Sequence, residues 1–235
     1  MTKNNYFEAL ESLIKPIENR DGMIVNSPFK YLGSKKKLMI AGYNPADVPD
    51  DNKTTINEDW LRHTNDQSFN ALHDESWGKY LPGYHPIQIF YKKLIDNTDL
   101  TEMDILVTNV FFQRSQGVPD LVVDSILEKQ CKKGFLLNLE IHKPDAICFL
   151  GDDAQEYVSK EWASISSAHG EIKYPWSDIE GSKEYTIKFY RMEFGETSIN
   201  VFSVPHQSYF RIGSNPQYWK RRLEAILIAL NRSLN

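Results

Sequence analysis

Apolar residues along this chain recur in two ways, at helical spacing over long windows and as short unbroken runs, and the two kinds of window alternate. Phe7, Leu10, Leu13, Ile14 and Ile17 predict an amphipathic helix over residues 4–19, its end disturbed by Pro16. The run 38–41 has the length and boundaries of a buried strand, and Gly42 lets the backbone turn just past it. Residues 104–110 and 144–151 predict two more buried strands, the second running into glycine. Between them Pro86 opens a helix with Ile87, Phe90, Tyr91 and Leu94 on its buried side. Val122, Val123, Ile126, Leu127 and Leu136 predict another over 121–140, which Gly134 threatens to break. Asp152 and Asp153 suit the first turn of a further helix, where the dipole favours carboxylates. Residues 185–194 alternate as a half-buried strand does, 199–204 form a last strand, and 216–230 close the chain as a helix with Trp219, Leu223, Ile226, Leu227 and Leu230 inward. Strands alternating with helices imply an α/β fold, a mainly parallel central sheet covered by helices on both faces.

Residues 47–84 stand apart as the least regular stretch, rich in Asp, Asn and Thr, with Trp60, Phe69, Trp77, Tyr80 and Tyr84 scattered through it. A connection this long is usually functional or mobile, and its aromatic residues could stack on a flat ligand or anchor the segment to the core. The 235 residues suit one domain with a core that needs no disulfide or metal. Cys131 and Cys148 are too few for a disulfide framework and are expected as reduced core thiols. The absence of a long apolar run and the polar start MTKNN predict a cytoplasmic protein with no membrane partner, and a monomer is expected. A net charge of −5 argues against strong indiscriminate binding to nucleic acid, which depends on Lys and Arg neutralising phosphates. Local basic patches remain at Lys35, Lys36 and Lys37, at Arg211, and at Lys220, Arg221 and Arg222.

Polar residues fall at three strand ends: Asn44 between Gly42 and Pro45, Asn109, and His206 followed by Gln207 and Ser208. In open α/β sheets, ligands bind outside the carboxyl ends of the strands. Gly42-Tyr43-Asn44-Pro45, Thr108-Asn109, Pro144 seven positions before Gly151, and His206-x-Ser208 occur in the order and rough spacing of the uracil-DNA glycosylase superfamily. The chain resembles that superfamily over residues 38–212. The first motif is most similar to the Gly-x-Asn-Pro signature of the mismatch-specific and single-strand-selective branches; the best-known uracil branch has Asp where Asn44 stands. His206 matches the uracil branch rather than the mismatch-specific one, and Gln207 replaces the usual proline, so the signature is mixed.

The resemblance implies a uracil-DNA glycosylase-like α/β/α sandwich and a monofunctional DNA glycosylase, acting on double- or single-stranded DNA without metal or cofactor. Such an enzyme extrudes a base and reads its Watson–Crick edge, a task that suits the donor and acceptor of Asn109. His206, aimed at the pyrimidine O2, would stabilise the leaving base anion. Asn44 takes the water-handling position, where an amide can orient water but not deprotonate it, so slow turnover is expected; Asp47 is the candidate substitute base. Gly42, Tyr43, Ala46, Tyr84 and Trp77 are expected around the base, with Tyr84 or Trp77 stacking on it. Ser208 and Arg211 would hold DNA phosphates, Phe210 would wedge into the gap left by the base, and Lys35 and Lys36 would add positive charge. Where strict uracil enzymes have a tyrosine that crowds C5, this chain has Ala46, which would admit thymine or a larger C5 group. No lysine holds an obvious nucleophile position, so no strand cleavage is expected. Two other readings stay open: a catalytically silent relative that binds DNA or a modified base, and a metal-dependent nucleotide hydrolase using Asp152 and Asp153.

Overall fold

The computed structural model describes residues 3–45, 53–175, 184–206 and 216–234. Strands β1 (Leu38–Gly42), β2 (Ile105–Asn109) and β3 (Ala146–Leu150) are buried at every position. Unbroken apolar runs of this kind are what a parallel strand covered on both faces requires. They join β4 (Ser164–Pro175), β5 (Glu184–Phe194) and β6 (Thr197–Val204) in one six-stranded sheet of order β2-β1-β3-β6-β5-β4. The first four in that order run parallel, and β5 pairs antiparallel with both β6 and β4.

Helices cover both faces. Helices α1 (Lys3–Ile14), α2 (Ile56–Asn65), α5 (Ser125–His142) and α6 (Asp152–Glu161) pack against Met39, Ala41, Leu106, Ile147 and Phe149. The short α3 (Ala71–Asp74), α4 (Pro86–Asp96) and α7 (Pro216–Leu234) pack on the alternate residues, Ile40, Val107, Cys148, Leu150 and Val204. The fold is therefore mixed α/β with a mostly parallel sheet between helical layers. No helix among the described residues is long and apolar enough to cross a membrane. Both cysteines are buried and free.

Three departures from the sequence reading have local causes. The expected irregular stretch 47–84 contains α2, which starts on a capping box: Thr55 Oγ1 accepts from the Glu58 N–H, and the Glu58 carboxylate accepts from the Thr55 N–H at 2.7 Å. Gly134 does not break α5; a Cβ there would lie 2.7 Å from Phe112 Cζ, so the glycine lets the helix settle against that ring. Strand β4 carries too little apolar alternation to be seen in sequence, because it is an edge strand with exposed residues and two register shifts against β5.

Residues 21–27 have a structural role the sequence did not announce. Val25 pairs antiparallel with Thr108, Asn26 N–H donates to Val107 O, and Ser27 Oγ accepts from Val107 N–H, so this segment caps the outer edge of β2.

Within the lysine cluster before β1, Lys36 is a structural bracket. Lys36 is buried, its ammonium donating to the carbonyls of Tyr31 and Met103 at 2.6 Å, and burial pulls its pKa down to about 8. Lys35 pairs with Asp145 at 2.8 Å. Both lie at the amino ends of the parallel strands, opposite the edge where ligands bind. Lys36→Met should remove both hydrogen bonds, leaving Met103 O without that donor while Tyr31 O keeps the Ser34 hydroxyl, and destabilise the fold by about 1–3 kcal/mol, measurable by denaturant unfolding; an unchanged midpoint would contradict the bracket.

Acid should also weaken the fold, through His142. Its Nδ1 is 3.0 Å from Ser34 O, its Nε2 is buried without a partner, and burial pushes its pKa down to about 4. The unfolded ring titrates near 6.5. Between those values the unfolded chain takes up a proton that the folded one refuses, so stability is lost as pH falls from 6.5 to about 4 and no further below. The loss amounts to roughly 3 kcal/mol at 1.4 kcal/mol per tenfold change in proton affinity. Buried His63 acts in the same sense, whereas Asp59, pushed up to about 7 by burial, acts in the opposite one. His142→Gln should accordingly show a shallower drop in melting temperature between pH 7 and pH 4 than the unaltered protein.

Candidate functional site

A cleft of about 740 Å³, its mouth included, opens at the carboxyl ends of β1, β2 and β3. Its floor is Gly42, Val107, Asn109 and Leu150, which share one sheet face because side chains alternate along a strand. Asn44 and His206 line it as well. Two carboxamides and an imidazole far apart in sequence thus meet around one space, and sheet topology is what brings them together.

Gly42 and Asn109 are register partners, and a Cβ on Gly42 would stand 2.7 Å from Asn109 Oδ1. The missing side chain on β1 is the room in which the buried carboxamide on β2 sits. Asn44 is held by its neighbours: its Nδ2 donates to Pro45 O and to Ser115 Oγ, each at 2.9 Å, and Ser115 Oγ donates onward to Gly117 O. Both amide hydrogens are spent, so Oδ1, an acceptor, is what Asn44 can offer a ligand or water.

His206 follows β6 directly and sits against Gly151, whose φ of +94° and absent side chain let β3 end there; a Cβ would be 3.4 Å from the His206 Cβ. Burial lowers the His206 pKa and the Asp153 carboxylate opposes it in part, so the ring is neutral at neutral pH. His85 faces the same cleft as the N-cap of α4: its Nδ1 accepts from Ile87 N–H at 3.3 Å, which leaves the proton on Nε2. Burial, aided by His206, holds His85 down to about 4. Two neutral imidazoles therefore border the space, and protonating either disfavours the other.

The covering wall comes from the segment before α4. Trp77 and Tyr80 line the cleft and both meet the His85 ring edge-on, while Trp77 Nε1 donates to Glu75 at 2.6 Å and Glu75 pairs with Arg62. Trp77 is thus a fixed apolar face. Tyr84, the other stacking candidate, is 65% exposed and does not border the cleft. It precedes the cap at His85 and its side chain turns outward. Tyr43 is also displaced from its expected role: being next to Gly42 it faces the opposite side, packing on Phe111 and Tyr157.

Ala46, Asp47, Ser208, Phe210 and Arg211 lie outside the described residues. Lys220 and Arg221 lie in the first turns of α7, whose far end is tied by Asn200 Nδ2 donating to Ser233 O, so its start is at the cleft edge of the sheet. Sequence reasoning missed Ser115, His85, Asn26 and Arg114. His85-Pro86 was legible as a helix start, but only the packing of α4 on the sheet turns that cap toward the cleft. Arg114 is buried beside Asp21, 3.5 Å away. Asp152, considered as a metal ligand, accepts from Ser203 Oγ at 3.0 Å, and no trio of His, Cys, Asp or Glu gathers among the described residues. No family model and no curated protein matches the chain.

Proposed function

We propose that the cleft receives a pyrimidine flipped out of DNA and that the protein is a monofunctional DNA glycosylase of the uracil-DNA glycosylase kind. It would cleave the N-glycosidic bond of uracil or of a mismatched or C5-modified pyrimidine and leave an abasic site. The observation that carries this reading is the convergence of Asn44, Asn109 and His206 on one cleft at the carboxyl ends of the strands. Asn109 pairs with the edge of the base, its carboxamide offering a donor and an acceptor side by side. Trp77 supplies a flat apolar face to replace lost stacking.

Cleavage separates an oxocarbenium-like sugar from an anionic base. His206, neutral and partly desolvated, donates a hydrogen bond to the oxygen where that charge collects, without first needing a proton from solvent. Asn44 Oδ1 accepts from the attacking water and orients it, but has no basicity, so turnover is slow. Lys220 and Arg221 border the DNA backbone, giving a local positive rim on an acidic protein.

The test is incubation with oligonucleotides carrying uracil, thymine mismatches and C5-modified cytosines, followed by alkali. Strand breaks at the modified position support the reading, and a folded protein that yields none removes it.

A further inference from the structure

The roles of base reading, water positioning and anion stabilisation leave one cleft imidazole, His85, with no task beyond capping α4. Its Nδ1 is turned back on the helix, accepting from Ile87 N–H at 3.3 Å, and its backbone N–H donates to Gln88 Oε1 at 2.9 Å. Trp77 and Tyr80 meet the ring edge-on, their centroids 5.2 and 5.4 Å away. The ring is thus held by its cap and by two aromatic neighbours, and only 9% of the residue is exposed. Nε2, the other ring nitrogen, meets no acceptor among the described residues, yet it is not one of the atoms sealed inside the protein. An open ring nitrogen at the wall of a cleft, on a side chain nine-tenths enclosed, is placed to meet a ligand.

Charge decides what it meets. With Nδ1 an acceptor, Nε2 carries the proton, so the open position is a donor. His85 also stands at the N-terminus of an eleven-residue helix, where the dipole favours negative charge. His206 lies close enough for charge on one ring to be felt at the other, and burial keeps both neutral near pH 7. Neutral donors in a partly dry space suit an oxygen on which negative charge develops. In base excision that charge collects on the leaving pyrimidine, and a carbonyl oxygen there has two lone pairs, one for each ring. We infer that His85 is a second catalytic residue, its Nε2–H donating beside His206 to the charged oxygen of the leaving base. This rests on the glycosylase reading of the same cleft. No proton leaves the ring. The C–N bond breaks with its electron pair on the base, water adds to the sugar carbon and gives a proton to solvent, and the base anion later takes one up.

Asparagine is a favoured N-cap, so His85→Asn keeps the start of α4 while taking away the outer N–H of the ring. Single-turnover excision from oligonucleotides carrying uracil, thymine mismatches or C5-modified cytosines should slow by about tenfold to a hundredfold, the worth of one hydrogen bond to a charged group, with a melting temperature close to that of the unaltered protein. His85→Ala, which loses the cap as well, should be as slow and melt lower. A rate in His85→Asn within about threefold of the unaltered protein makes His85 a cap only, which overturns the inference and leaves the glycosylase standing. No excision by the folded, unaltered protein removes the glycosylase and this catalytic role with it. A second measurement needs no variant. The imidazole N–H resonance of His85 in the unaltered protein should shift when the free excised base saturates the cleft, and a resonance that stays in place overturns the contact.

Discussion

His206→Ala is expected to slow base excision by about a hundredfold to a thousandfold, the usual consequence of deleting one preorganised donor to a developing anion. The ring lies just past the end of β6 and lines the same cleft as Asn109, and burial keeps it neutral in the neutral range. On the proposed function, removing it takes away a group placed against the leaving base and no residue of the sheet, since β6 ends at Val204. The melting temperature should stay close to that of the unaltered protein. His206→Asn, which retains an amide donor, should lose less. Single-turnover rates on whichever oligonucleotide the protein cleaves provide the measurement. A rate unchanged within about threefold in the alanine variant would mean that the leaving base is stabilised elsewhere, because a donor worth even 1.4 kcal/mol gives tenfold.

Gly42→Ala should be nearly as damaging, although residue 42 is given no chemical step. The new Cβ would stand 2.7 Å from Asn109 Oδ1, closer than nonbonded atoms tolerate, and one of the two must move. Gly42 is the last residue of a central strand paired on both sides, so the side chain yields before the backbone does. A carboxamide displaced by even an ångström misaligns both hydrogen bonds to the base edge, and misplacement of that size costs on the order of a hundredfold. The fold should tolerate the change, because Gly42 has no positive φ that alanine would strain. Weakened base binding and excision with a near-normal melting temperature are the expected result. Full activity would show that Asn109 has no fixed place in the reaction.

These two expectations differ in how much of their basis a reader of the sequence could see. His206 was visible as a polar residue just past a strand, beside a serine in a known pattern. The clash between Gly42 and Asn109 was not, because it depends on the register of β1 against β2, and register is set by neighbours distant in sequence. Lys36 shows the converse failure. Three consecutive lysines look solvated, yet the chain folds so that one ammonium meets two backbone carbonyls and disappears from the surface. Tyr84 and Trp77 were equal candidates for stacking on the base, and the orientation of the segment before α4 sends one outward and keeps the other at the cleft.

The amino-acid sequence by itself determined the α/β class, the positions of the buried parallel strands and the presence of polar residues at their ends. Those follow from hydrophobic spacing and from glycine and proline placement, which act over a few residues at a time. Tertiary structure alone decided that Asn44, Asn109 and His206 border the same space, that Ser115 takes one of the two amide hydrogens of Asn44, and that the edge segment 21–27 brings Asn26 to the cleft. Those facts come from strand order and pairing, where residues separated by most of the chain are brought within hydrogen-bond reach.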